Sequence, residues 1–114
     1  MSKRILRINS LIKEQISNIF LREFEFPPGV LVTITRVETT LDLTESNVFV
    51  SVIPEEKTEE VFQLLNRKLH FVQQKFNRIV NMRPLPKLKF LNEKKTVEAA
   101  EVEKILRELK KEKK

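Results

Sequence analysis

Two pairs of adjacent carboxylates, Glu55 with Glu56 and Glu59 with Glu60, and a single histidine, His70, are the side chains in this 114-residue sequence best suited to proton transfer. General acid and base catalysis needs two groups of opposite role held across a reacting bond. The four acids instead fall beside a strand end and in the first turn of a helix, where carboxylates stabilise the positive end of the helix dipole. His70 has no second histidine, no cysteine and no nearby helical serine or threonine, so it reads as a surface or boundary residue on a helix flank. Cysteine is absent, which removes disulfides, thiolate nucleophiles and thiolate metal sites. The one glycine, Gly29, cannot build a phosphate-cradling loop. No catalytic residue, metal ligand set or cofactor site is expected.

The denser signal is cationic. Nine lysines and arginines lie between Arg67 and Lys95, against one acid, Glu93. The net charge of +6 is unevenly spread: residues 1–24 carry 5 basic and 2 acidic side chains, 25–56 carry 1 and 6, 57–95 carry 10 and 3, and 96–114 carry 6 and 5. Two basic helical segments flank an acidic middle, a polarity that suits a polyanion on one side of the molecule. Charge alone fits a solubilising excess equally well. The side-chain pattern adds to it, because Arg67, Gln74, Arg78 and Asn81 fall roughly opposite the stripe Leu69, Val72, Phe76 and Ile79. Cations beside Gln and Asn are the side chains that contact phosphate and ribose. Arg4 and Arg7, one turn apart, extend the patch. The strands offer only Phe49 and Phe90 and the chain has no Trp or Tyr, so a base-stacking platform is not available. The expected contact is helix and loop to nucleic-acid backbone, reading shape more than sequence.

Positioning these side chains takes a particular set of elements. Residues 4–24 place Ile5, Ile8, Ile12, Ile16, Ile19 and Phe20 on one helical face, and the helix should stop before Pro27 and Pro28. Residues 30–40 and 47–53 are β-branched runs joined by the turn formers of LDLTES, an antiparallel hairpin. Val32 and Ile34, with Val30, share one face of the first run, while Thr33, Thr35 and Val37 do not alternate cleanly; Val48, Val50 and Val52 share one face of the second. Pro54 ends the second strand. Thr58, followed by Glu59 and Glu60, starts a helix by offering its hydroxyl to first-turn amides. The apolar pattern then runs through Val61, Leu65, Leu69, Val72, Phe76 and Ile79 to Met82. Unbroken, that helix would be about 37 Å long at 1.5 Å per residue. A compact domain of this size should have a radius of gyration of about 13 Å, so a break is expected inside it. Phe62, Phe71 and Phe76 read as core. Residues 86–91 form a short strand opened by Pro86, and Thr96 caps a last helix with the narrow stripe Val102, Ile105, Leu106 and Leu109. One sheet with helices on a single face satisfies this order, an α+β architecture.

No run of about 20 apolar residues occurs, so no membrane span is expected. The basic start, MSKRILRINS, runs straight into an amphipathic pattern without the features of a secretory signal. A cytoplasmic location and no membrane partner follow as expectations.

These residues together resemble the ribosome-binding factor A family, from about Arg4 to Leu109. Arg4, Arg7 and Ile8 stand in that family's R-x-x-R-V arrangement, followed by Leu11 and Glu14. VTITRVETTLDLTESNVFVSV is similar to its most recognisable segment, including Asp42 and Leu43 in the turn and Val48 to Ser51 in the strand. Arg83, Pro86, Leu88 and Phe90 match its R-x-x-P-x-L-x-F ending. The resemblance implies a type II KH fold, αββααβ, over residues 1–95, with residues 96–114 as an extra C-terminal helix and charged tail. It also implies a non-enzymatic factor, without cofactor, that binds the 30S subunit and its 16S rRNA in late maturation, including processing of the rRNA 5′ end. Support of growth in the cold, an assembly GTPase as a further partner, and a monomer complete that implication. The chain departs from the family in two places. Phe26, Pro27 and Pro28 replace an Asp-Pro-Arg turn, and Lys68, Leu69 and His70 replace an Ala-x-Gly kink, so either a residue other than glycine, Asn66 or His70, carries the bend or the helix bends less.

The candidate RNA-contacting residues are accordingly Arg4, Arg7, Arg67, Lys68, His70, Lys75, Arg78, Arg83, Lys87 and Lys89. The alternative function is a protein-interaction module docking on an acidic protein partner. A small enzyme of the acylphosphatase type would need a glycine-bearing anion loop that Gly29 alone cannot supply.

Overall fold

The isoleucine spacing of the first segment gives the helix it dictates. In the computed structural model, which describes residues 3–81 and 85–112, α1 spans Lys3–Glu23 and buries Ile5, Ile8, Ile12, Ile16, Ile19 and Phe20. It ends ahead of a turn in which the Val30 amide donates to the Pro27 carbonyl over 3.2 Å, with Gly29 at φ 76°. Proline at the second position and a positive φ at the third define a type II turn, so the only glycine stands where its freedom is required. Phe24 and Phe26, which sequence pattern did not assign to the core, pack here: the ring centroids of Phe24 and Phe26 are 5.4 Å apart, and Phe20 contacts both.

The hairpin follows as β1 (Leu31–Thr39) and β2 (Glu45–Ile53), antiparallel, and β3 (Lys87–Asn92) adds to β2 in parallel, giving the order β1-β2-β3. A parallel pair needs a long crossover, and the helices between β2 and β3 supply it. The untidy alternation at Thr33, Thr35 and Val37 has a cause. A β-bulge lies between Ile34 and Arg36, leaving Thr35 as the extra residue, so Ile34 pairs with Val50 and Val37 with Val48, both facing the helices. Val48 and Val50 are fully buried and Val52 is partly buried on the same face, as alternation requires. Among the described residues one polar side chain, Ser46, is buried, and it is satisfied by Thr39 at 2.8 Å. Thr39 spends its single hydroxyl hydrogen on Asn9 at 2.6 Å, so Ser46 is the donor in that pair. The chain Ser46, Thr39, Asn9 pins β2, β1 and α1 together.

After a 3-10 turn at Glu55–Lys57 come α2 (Thr58–Arg67) and α3 (Leu69–Ile79), and after β3 comes α4 (Glu93–Glu112). The order is the αββααβ of the resemblance plus a terminal helix. Three local expectations are corrected. Thr58 does not cap α2: its hydroxyl donates to the Glu55 carbonyl at 2.6 Å, because the 3-10 turn already organises the helix start. Thr96 does not cap α4: the Asn92 side chain accepts from the Lys94 and Lys95 amides at 3.0 and 3.4 Å, and Thr96 bonds back to the Asn92 carbonyl. Ile79 is 51% exposed, because α3 ends there and Val80, in extended conformation, turns into the core instead.

The break in the long helix is a single residue, Lys68, at φ −97° and ψ 5°. That conformation lies in the bridge region, which any L residue can enter without a positive φ, so no glycine is needed. The bend is therefore carried by neither Asn66 nor His70, and it lies within the Lys68–His70 stretch that stands in place of the family's kink. The Lys68 amide still donates to Leu64 and its carbonyl still accepts from Val72, which makes the break an elbow rather than a loop. Val61 and Leu65 on one arm and Val72 and Phe76 on the other are fully buried.

Candidate nucleic-acid interface

The elbow sorts the cations. Arg67, the last residue of α2, is exposed, and so are His70, Gln74 and Arg78 on α3. The last three are spaced i, i+4, i+8, which puts them in one row along the outer side of α3. Between Val61 and Asn92 the sequence holds no acid, so α3 itself contributes no negative side chain to that row.

Lys68 and Lys75 turn the other way. The Lys68 Nζ donates to the Glu23 backbone carbonyl at 2.9 Å and lies 4.9 Å from the Phe24 ring centroid and 5.9 Å from that of Phe71. Lys75 Nζ is 3.2 Å from the Glu23 carboxylate and 5.7 Å from the Phe71 ring. Both lysines are half-buried against the end of α1. A cation at a helix C-terminus meets the negative end of the dipole and an otherwise unpaired carbonyl. Phe71, placed in the core by pattern, instead forms the aromatic floor under these two ammonium groups.

The other candidates lie elsewhere. Arg4 and Arg7 are exposed on the first turns of α1. Arg4 precedes Glu23 by 19 residues, about 28 Å along the helix, so these arginines do not join the elbow. Lys87 and Lys89 alternate with the buried Leu88 and Phe90 and project from the sheet face turned away from the helices, opposite Glu45 and Asn47 of β2. Arg83 lies outside the described residues. The nine candidates among the described residues thus divide between the outer side of the elbow, the two ends of α1 and the open sheet face rather than forming one surface.

One cation outside the candidate set is fixed on that open sheet face. The Arg36 guanidinium carbon sits 3.9 Å above the Phe49 ring centre, and Nε donates to Glu93 at 3.0 Å, with Glu38 alongside. The hydrogen bond to Glu93 raises the Arg36 pKa above its usual value, outweighing the opposing effect of burial, and the charges of Glu38 and Glu93 add smaller upward effects. This clamp explains why Phe49, on the face without helices, is almost fully buried. Its sequence signal was the register itself, since Arg36 pairs with Phe49 only if Thr35 is skipped.

Among the described residues, no group of three His, Cys, Asp or Glu side chains is placed to hold a metal ion. His70 stands exposed on α3 with Gln74 and Arg78 one and two turns along. What the elbow offers is a row of hydrogen-bond donors and positive charge suited to phosphate oxygens.

Known proteins match this architecture. The family model described as ribosome-binding factor A matches residues 4–106. Ribosome-binding factor A of Phenylobacterium zucineum is 36% identical over 107 residues, covering 91% of this chain and 74% of that protein. The crystal structure of ribosome-binding factor A from Thermus thermophilus superposes with a TM-score of 0.65 at 25% identity, covering 77% of this chain and 93% of that one. A Thermus thermophilus ribosome-binding factor A fitted into a cryo-electron-microscopy map of a 30S complex gives a TM-score of 0.63 at 28% identity, covering 73% and 88%. The family match over residues 4–106 and the similarity along most of its length show that the chain belongs to the ribosome-binding factor A family.

Proposed function

We propose that this protein is a non-catalytic assembly factor that binds the 30S ribosomal subunit through its 16S rRNA during late maturation, when the rRNA 5′ end is processed. It works as a cytoplasmic monomer, without cofactor, in support of growth in the cold, and an assembly GTPase acts with it in the same pathway. The observation that carries the reading is the elbow at Lys68, which leaves Arg67, His70, Gln74 and Arg78 exposed along a stretch without acids. Membership of the family supports the target, as does the Thermus relative fitted into a 30S complex.

Phosphate contact makes affinity fall linearly with the logarithm of salt concentration. Binding of the purified protein to small subunits should therefore weaken steeply with salt. In the doubly substituted Arg67→Glu, Arg78→Glu protein the slope should drop by about one for each contact removed. Both positions are exposed, so the melting transition should stay in place. Binding indifferent to salt, or a double variant that binds like the parent, would count against the proposal.

A further inference from the structure

Every side chain of α4 from Val97 to Lys110 is exposed, although the helix carries an apolar stripe: Val102 56%, Ile105 56%, Leu106 54% and Leu109 48%. Glu98, Val102, Ile105 and Leu109 are spaced i, i+4, i+7, i+11 and share one side of the helix. Glu98 also lines a groove of about 1100 Å³ between the first turns of α4 and α2. Val52, Ile53, Phe62, Phe90 and Leu91 supply its apolar surface. The stripe therefore continues one wall of that groove.

The sign of the groove is opposite to that of the protein. Four carboxylates, Glu55, Glu56, Glu59 and Glu98, line it against two ammonium groups, Lys94 and Lys95. Lys94 pairs with Glu55 at 2.5 Å and lies 3.9 Å from Glu98, so the lining keeps an excess of two carboxylates. In a chain of net charge +6 this is an acidic trough with an apolar bed, which repels an RNA backbone and suits a cationic, amphipathic segment. A second copy of α4 is a poor occupant, because Glu98, Glu101 and Glu108 run along its own stripe and would meet the groove's carboxylates.

We propose that the groove between α2 and α4, prolonged by the Val102–Leu109 stripe, receives a basic amphipathic helix of a partner protein, on a surface separate from the elbow. The occupant presents apolar side chains to Ile53, Phe62, Leu91 and the stripe, and lysines or arginines to Glu56, Glu59 and Glu98.

The first test uses the full-length protein and synthetic helical peptides, and it does not depend on the ribosomal reading. A leucine and lysine peptide of apolar i, i+3, i+4 spacing should shift the amide resonances of Ile53, Phe62, Leu91, Val102 and Ile105 while leaving Arg67 and Arg78 in place. Its affinity should fall about tenfold or more when Glu56, Glu59 and Glu98 are changed to Lys, since close charge pairs at interfaces couple at that level. The Val102→Glu, Ile105→Glu variant, exposed and so free to fold, should lose binding as well. Equal binding of a leucine and glutamate peptide, or the same residues shifted by an oligoribonucleotide, would overturn the proposal. The second test places p-benzoylphenylalanine at position 102 and irradiates the protein on purified small ribosomal subunits. A cross-link to a cationic protein segment supports the proposal; a cross-link to RNA or to a second copy of the chain sinks it.

Discussion

The ammonium nitrogen of Lys68 lies 2.9 Å from the backbone carbonyl oxygen of Glu23, so the residue that breaks the α2–α3 helix also closes the end of α1. The same nitrogen faces the Phe24 and Phe71 rings. One side chain couples the elbow to the first helix, and we propose that Lys68 acts as a structural cation rather than an RNA ligand. Lys68→Met keeps the aliphatic stem and removes the charge; it should cost about 1–2 kcal/mol, measured as a lower urea midpoint at unchanged m-value. Subunit binding by the folded variant should retain the parent's salt slope, in contrast to Arg78→Glu.

Gln73 protects the outer edge of the sheet. Its amide oxygen accepts from the Leu88 amide at 2.7 Å, and its nitrogen donates to the Pro86 carbonyl at 3.1 Å, so a helix side chain stands in for a fourth strand. Gln73→Leu should destabilise by about 1–3 kcal/mol, because it leaves a part-buried donor and acceptor unpaired. Hydrogen exchange at the Leu88 amide should accelerate more than at Val48 or Val50 in the middle of the sheet.

Leu43 has φ 61° and a buried side chain in the turn between β1 and β2. The left-handed conformation costs a β-carbon residue about 1 kcal/mol or more. Leu43→Ala loses the buried side chain and keeps the strain, a cost of about 2–4 kcal/mol. Leu43→Gly loses the same packing but relieves the backbone. Thermal unfolding should therefore rank glycine above alanine here by about 1 kcal/mol, the reverse of the order found in a helix or strand.

Asp42 makes the same turn pH-sensitive. Its carboxylate accepts from the hydroxyls of Thr40 and Thr44, both at 2.7 Å, and from the Thr44 amide at 3.2 Å. Bonds from Thr40 first and Thr44 second lower its pKa below the ordinary aspartate value. A depressed folded pKa contributes stability that is fully present above the unfolded value, about 4, and is lost as pH falls through the folded value. The gap in melting temperature between the parent and Asp42→Asn should be constant near neutrality and shrink below about pH 4. A gap that widens in acid would contradict this account.

Patterns carried by neighbouring residues were legible in the sequence. The six buried residues of α1, the valines of β2 and the existence of a break in the long helix follow from period and chain length, while its place near Lys68 came from the family resemblance. The sorting of the cations was not legible, because its cause is distant: Glu23 is 45 residues from Lys68 and 52 from Lys75. A helical wheel ranks Lys68, Lys75 and Arg78 by angle alone, whereas the end of α1 captures two of them and leaves the third in water. Capping failed for a different reason. Thr58 and Thr96 have the right side chain for an N-cap, yet each helix begins earlier, through a 3-10 turn in one case and through Asn92 in the other. Local propensity names the residue type, and the arriving chain decides which copy is used.

The bulge at Thr35 bears on how this hairpin tolerates insertion and deletion. In a regular strand the loss of one codon exchanges core and surface for every residue on one side of the cut. Here Thr35 is surplus to the pairing, so its deletion would leave Ile34 and Val37 facing the helices and Arg36 over Phe49, at the cost of one hydrogen bond to the Phe49 carbonyl. Within β1 it is the position where a relative can be one residue shorter and keep both faces of the sheet, and length variation among homologues of this chain should concentrate there.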